Sequence, residues 1–256
     1  MNYERIRLSI DDGIARLVFA NPARLNAVDG QFTREFADAA RRCELVPGLR
    51  AVQVSAEGDA FSVGGDLRDF LEHREHVQAH VREMTVYFHA GILTLNRLAA
   101  PVIVGVNGVA AGGGFSLVCM ADLAIAGRSA RFNFAYTKSG LTPDGGASHF
   151  LPRMVGSQRA FELLALNPTL DAAEACELGI VARVVDDEAL ASELEQVTRR
   201  IASSPANANG RLKRLLRASA ANSLEQQFEL EARSIAEGAG HPETLAALEA
   251  FFRRSK

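Results

Sequence analysis

Leu98-Ala99-Ala100-Pro101-Val102-Ile103-Val104-Gly105-Val106-Asn107-Gly108-Val109-Ala110-Ala111-Gly112-Gly113-Gly114-Phe115-Ser116-Leu117-Val118-Cys119-Met120-Ala121 carries no charged side chain and is as long as the ~20 apolar residues of a bilayer-spanning helix. Its interior gives another reading. Pro101, Gly105, Asn107, Gly108 and the Gly112-Gly113-Gly114 run would break a lipid-exposed helix, and Val102 to Val106 is β-branched and strand-like. The stretch reads as a buried strand, a glycine loop and a buried helix, the signature of a globular α/β chain.

Upstream, Ile6, Leu8 and Ile10 alternate with polar neighbours, Asp11-Asp12-Gly13 is a turn, and Ile14 to Phe19 alternates again, which predicts a hairpin. Asp29 is placed to cap a helix with Phe32, Phe36, Ala39, Ala40 and Cys43 on one face, ending near Pro47-Gly48 before a strand over Arg50 to Ser55. Leu67 to Leu98 reads as helical, polar at first and then apolar through Val77, Val81, Met84, Phe88 and Ile92. Downstream, short strands are predicted at Asp122–Ala126 and Arg131–Phe134. After the Pro143-Asp144-Gly145-Gly146 break the chain turns helical, apart from a strand at Ile180–Val185. The expected organisation is an α/β core over residues 1–195 and a helical region over 196–256.

Composition narrows the class. With 48% hydrophobic and 23% charged residues in 256, the chain can bury a full core without disulfide or metal. A net charge of −3 gives no electrostatic reason to expect nucleic acid or a membrane surface as partner. The three cysteines, Cys43, Cys119 and Cys176, are far apart and odd in number, as suits reduced thiols, and Met1 to Arg5 lacks the order of a secretion signal. A cytoplasmic location is expected.

Four segments together resemble the crotonase (enoyl-CoA hydratase/isomerase) superfamily: Asn21 to Ala27, Ala60 to Leu67, Val106 to Gly114, and Leu141 to Gly146 with Leu151 to Gly156. Each alone is a weak signal; four in order are specific. The resemblance implies a crotonase-type spiral of ββα units with a helical C-terminal trimerisation region, a homotrimer or a hexamer built as a dimer of trimers, and an acyl-CoA thioester as substrate. No separate cofactor or metal is implied, coenzyme A being part of the substrate.

The glycines have a physical reading of their own. A thioester enolate puts its charge on one oxygen, and a preorganised pair of N–H donors in a dry site stabilises it; glycine lets backbone approach that closely. By resemblance the donors are the N–H groups of Gly65 and Gly113; taken alone, both clusters also fit tight turns. The resemblance further places coenzyme A against Arg24, Leu25, Ala60, Asp66 and Leu67, with a solvated loop as the other account of Arg24.

Hydratases of this superfamily use two glutamates; the corresponding positions here hold Ser116 and Tyr136, neither of which can serve as a carboxylate acid/base. Asp144 lies where isomerases of the family, including the ring-epoxide isomerase of phenylacetate degradation, carry a catalytic aspartate. One carboxylate is enough for a 1,3-proton shift. Pro-Asp-Gly is also a turn signature, and Asp144 would serve equally as a helix cap. His149 and Tyr136 are candidates to reach the acyl pocket, Tyr136 as a polar wall or donor, and Glu83 is a candidate second carboxylate. His73, His76 and His80 share a helical face at metal-compatible spacing, with a solvated helix as the favoured account. A dehalogenase branch uses an aspartate at the Asp144 position as nucleophile, assisted by a tryptophan, and this chain has no Trp. The leading expectation is an enoyl-CoA isomerase; the others are a hydratase or related lyase or hydrolase, and a silent acyl-CoA-binding protein.

Overall fold

The computed structural model describes residues 3–254. β1 (Ile6–Asp11) and β2 (Ile14–Phe19) form the expected hairpin, closed by Asp12 and Gly13 at φ of 50° and 73°, the left-handed pair that a two-residue loop requires. α1 (Gly30–Glu44) starts at Asp29, whose carboxylate accepts the Phe32 N–H, and buries Phe32, Phe36, Ala39, Ala40 and Cys43.

The chain then repeats one unit. β3 (Ala51–Ala56) joins a six-stranded sheet and β4 (Ala60–Ser62) a four-stranded one, before α2 (Leu67–Glu72) and α3 (Val77–Arg97). β5 (Val102–Val106) and β6 (Val109–Ala111) divide between the sheets in the same way and lead into α4 (Gly113–Met120). β7 (Leu123–Gly127) and β8 (Arg131–Asn133) do so again before α5 (Ala147–Val155) and α6 (Ser157–Leu166). β9 (Leu170–Asp171) closes the small sheet, whose order is β4-β6-β8-β9. After α7 (Ala172–Glu177), β10 (Arg183–Val185) closes the large one, whose order is β1-β2-β3-β5-β7-β10. This is the spiral of ββα units that was expected.

Every residue of β5 is buried, as an uncharged run shielded on both faces should be. Phe19, Phe32, Phe36, Phe61 and Phe88 pack ring to ring between the sheet and the helices, which fixes α3 against α1. Gly91 makes that approach possible, since a Cβ there would lie 2.5 Å from the Phe36 ring.

Four helices end the chain: α8 (Leu190–Ser203), α9 (Ala206–Ser219), α10 (Leu224–Ala239) and α11 (Pro242–Arg254). Position 195 falls inside α8, which packs Leu190, Leu194, Val197 and Ala202 on Ile14, Ile103 and Ile125 of the large sheet. α9 is anchored by one buried lysine. The Lys213 ammonium donates to the Leu95 and Ala100 carbonyls at 3.0 and 3.1 Å and pairs with Asp122 at 2.8 Å, and burial holds its pKa below the usual lysine value despite that partner. Lys213→Ala leaves both carbonyls without a donor and is expected to destabilise the fold by about 3 kcal/mol, read from the urea midpoint. A loss under about 1 kcal/mol would show that water replaces the ammonium freely.

Two readings of local structure are corrected. The continuous helix expected over Leu67 to Leu98 is interrupted by a 3-10 turn at Arg74–His76, because Asp66 caps a short α2 whose last turn closes at His73. Strand character begins at Arg183, not Ile180; Ile180 and Val181 pack in the core as a turn. Among the described residues no helix is long and apolar enough to cross a membrane.

Candidate active site

The first glycine loop leaves β4 at Ser62. Its hydroxyl donates to the Asn26 carbonyl at 2.7 Å and accepts the Gly64 N–H at 3.2 Å, while the Gly64 carbonyl accepts the Val28 N–H and Val28 in turn accepts from Asp66. Gly65 is left between two engaged neighbours with its N–H donating to no described protein acceptor. The second loop leaves β6 at Ala111. Gly112 donates to the Asn133 carbonyl and takes φ of 50°, and Gly113 opens α4, where a first-turn N–H has no partner within the helix.

These loops touch. A Cβ on Gly64, itself at φ of +80°, would lie 2.7 Å from the Ala111 carbonyl and 3.0 Å from the Gly113 nitrogen. Only glycine permits backbone to meet backbone so closely. Gly65 and Gly113, the latter at the positive end of α4, thereby come to line the same space.

That space is a cavity of about 270 Å³ lined by Val63, Gly65, Phe70, Val81, Met84, Phe88, Gly113, Phe134, Tyr136, Leu141 and Asp144, with Leu67 at its edge. α3 supplies Val81, Met84, Thr85 and Phe88 to the cavity wall. Asp144 does not act as a helix cap: α5 is capped at Gly146 without a side chain, and the Asp144 carboxylate accepts the Tyr136 hydroxyl at 2.6 Å instead. Burial and the neighbouring Asp144 charge push the Tyr136 hydroxyl well above the ordinary tyrosine pKa, so it stays a donor.

His89, on α3, escaped the sequence reading. Its Nε2 accepts the Gly145 N–H at 3.2 Å and lies 3.8 Å from the second oxygen of Asp144. The bond from Gly145 puts a lone pair on Nε2, assigning the neutral tautomer with hydrogen on Nδ1. Nothing in the sequence ties position 89 to position 144; the one available hint is that His89 adjoins the inward-facing Phe88.

The other predicted residues lie at the rim or away from it. Arg24 pairs with Asp66 at 2.7 Å, Asp66 also caps α2 by accepting the Arg68 N–H, and Leu25 and Leu67 are exposed. Ala60 is buried in β4 and its carbonyl accepts from Asn26. Glu83 pairs with Arg34 at 2.8 Å and lines a separate cavity, and His149 faces a groove with Lys213 and Arg217, so neither reaches Asp144. Ser116 contacts no histidine; its partners are Gly112, Tyr136 and the Asp144 backbone.

His73 and His80 are brought together by the break between α2 and α3 rather than by one helix. Their rings stack at 3.8 Å and 8°, and Asp69 accepts or bridges at 2.8 Å to His80 and 3.3 Å to His73. One ligand atom from each of Asp69, His73 and His80 lies within 4.8 Å of the others, a spacing that a metal ion could bridge. The cluster, with the Gly30 N–H on Asp69, ties α1, α2 and α3 together beside a separate cavity.

A spiral of ββα units whose two glycine loops meet over an apolar cavity is the crotonase fold, and the chain is an acyl-CoA-processing enzyme of that superfamily. It belongs to the enoyl-CoA hydratase/isomerase family, whose model matches residues 9–256. It is 34% identical over 246 residues to 4-chlorobenzoyl coenzyme A dehalogenase-1 of an Arthrobacter species, covering 96% of this chain and 88% of that one. To the 1,2-epoxyphenylacetyl-CoA isomerase of Escherichia coli (strain K12) it is 33% identical over 229 residues, 89% and 87% of the two chains. The crystal structure of an enoyl-CoA hydratase from Polaromonas sp. JS666 superposes with a TM-score of 0.91 at 28% identity, covering 97% of both chains.

Proposed function

We propose that the protein is an enoyl-CoA double-bond isomerase in which Asp144 is the acid/base and the N–H groups of Gly65 and Gly113 form the oxyanion hole. The observation that carries the reading is a single carboxylate in the same apolar cavity as the two glycine donors, with Ser116 and Tyr136 leaving no second carboxylate there. Asp144 removes a proton from C2 of a 3-enoyl thioester, the thioester oxygen takes the charge between the two N–H groups, and the proton returns at C4 to give the 2-enoyl isomer. No water enters the product. Coenzyme A runs past Arg24, Leu25, Ala60, Asp66 and Leu67, with Tyr136 in the acyl wall.

Apolar residues exposed along the C-terminal helices, Leu224, Phe228 and Ile235 on α10 and Leu245, Leu248 and Phe252 on α11, support burial between subunits in a trimer or hexamer. We place that assembly in the cytoplasm.

The Asp144–His89 pair favours one second reading: Asp144 attacks the chlorine-bearing ring carbon of an aryl thioester, chloride leaves, and water cleaves the resulting aryl ester to restore the carboxylate, its proton going to His89 Nε2 once that nitrogen parts from the Gly145 N–H. The 4-chlorobenzoyl relatives give this reading a substrate to test, and Tyr136 offers Asp144 the donor that no tryptophan supplies here.

Three incubations separate the readings. The isomerase converts 3-hexenoyl-CoA to 2-hexenoyl-CoA, adds no water to crotonyl-CoA and releases no chloride from 4-chlorobenzoyl-CoA. Chloride release without isomerisation would replace it with the nucleophilic reading, and 3-hydroxybutyryl-CoA would replace it with hydration. Binding of all three with no product would mark a silent acyl-CoA-binding protein.

A further inference from the structure

Ser116 and Tyr136 are not passive wall residues. Ser116 is fully buried on α4 with its hydroxyl oxygen 3.0 Å from the Tyr136 hydroxyl, 3.0 Å from the Asp144 backbone carbonyl and 3.3 Å from the Gly112 carbonyl. Tyr136 has one proton, and the 2.6 Å contact gives it to Oδ1 of Asp144. Its oxygen is then an acceptor toward Ser116, so the hydroxyls form a directed chain from Ser116 through Tyr136 to the carboxylate, in which each bond polarises the next.

The backbone is bent to make this contact. Ala135, directly before Tyr136, sits at φ of +57°, a left-handed conformation that a residue with a Cβ adopts at a cost. Phe134 stays in the core, stacked on Phe115 at 4.2 Å, and the turn at Ala135 throws Tyr136 back onto α4. On the other side, Gly145 leaves no room for a side chain, since a Cβ would lie 2.8 Å from that of Ser116. Asp144 is thus held at Oδ1 and through the next N–H, while Oδ2 accepts from no described donor within hydrogen-bonding distance.

We propose that Ser116 and Tyr136 are a positioning pair that ties Oδ1 of Asp144 and reserves Oδ2 as the oxygen that exchanges a proton with the acyl group. The inference rests on the reading of Asp144 as the acid/base. The titratable groups that face the carboxylate among the described residues are Tyr136 from the segment after β8 and His89 from α3. Of the two, Tyr136 donates to the carboxylate, so its removal frees Oδ1 and lets the carboxylate turn away from the acyl group.

Tyr136→Phe is therefore expected to lower kcat for 3-hexenoyl-CoA at least tenfold, with KM little changed. Ser116→Ala lowers kcat by less, and adds no further loss in the Tyr136→Phe background. A measurement independent of turnover accompanies these. The Asp144 carboxyl carbon resonance, assigned by its absence from Asp144→Asn, should move in chemical shift in Tyr136→Phe, because the hydrogen bond to Oδ1 is lost. An unchanged resonance overturns the positioning role whatever the substrate, and so does an effect of Tyr136→Phe on KM alone. Full activity in Asp144→Asn overturns instead the reading on which the inference rests.

Discussion

Asp144→Asn lowers kcat/KM for 3-hexenoyl-CoA by about 100- to 10,000-fold, the range by which a positioned acid/base accelerates proton transfer. The amide keeps the shape of the carboxylate and can still accept the Tyr136 hydroxyl, so the fold and the packing around Ser116 persist. What is lost is the group that takes and returns the proton. Thioester affinity should stay within a few-fold of wild type, because the other contacts of the cavity are untouched, and the defect should appear in kcat. Steady-state rates beside a calorimetric Kd make the distinction. A variant with full isomerase rate would remove Asp144 from the chemistry.

Gly113→Pro is expected to reduce kcat by about 100- to 1,000-fold, the effect of deleting one oxyanion donor. A backbone N–H is seldom open to mutation, but this one is. Gly113 is the first residue of α4, where proline's fixed φ suits the helix and its missing N–H breaks no helical bond. A Cβ at this position would meet Phe88 at 3.5 Å, an ordinary contact. Gly113→Ala is therefore the matched control: it adds the same Cβ, keeps the N–H and should retain activity within a few-fold. If alanine and proline were equally inactive, the loss would be steric and the donor role of Gly113 would fall. Gly64 offers no such comparison, since any Cβ there strikes the Ala111 carbonyl and parts the two loops.

Much of the fold was legible because its signals are local. Asp12-Gly13 specifies the hairpin loop, Asp29 caps α1 through the Phe32 N–H, and the uncharged run from Leu98 to Ala121 divides into β5, a loop and α4 where its glycines lie. β4 and β6 were not legible. Each has three residues, too few for an alternation to register, and each exists because a distant strand pairs with it. The same holds for the break between α2 and α3. It depends on Asp66 capping one side and on His73 stacking over His80, a contact that becomes visible only after the chain has turned.

The site divides along the same line. Gly65, Gly113 and Asp144 stand in recognisable motifs, so their positions could be read before the structure. Their relations could not. That Gly64 presses on Gly112 and Gly113, that Asp144 is tied by Tyr136 and not by α5, and that His89 reaches Gly145 are contacts across 48, 8 and 56 positions of chain. Glu83 shows the reverse case, a carboxylate plausible by type that the fold turns toward Arg34.

Solvent exchange tests the central claim, that the two glycine N–H groups stabilise an enolate formed by a carboxylate base. In D₂O, wild-type protein should incorporate deuterium at C2 and C4 of the hexenoyl chain, followed by proton NMR, and both Gly113→Pro and Asp144→Asn should slow that incorporation at least 100-fold while Gly113→Ala does not. Equal exchange rates in wild type and Gly113→Pro, at matched thioester occupancy, would contradict the account.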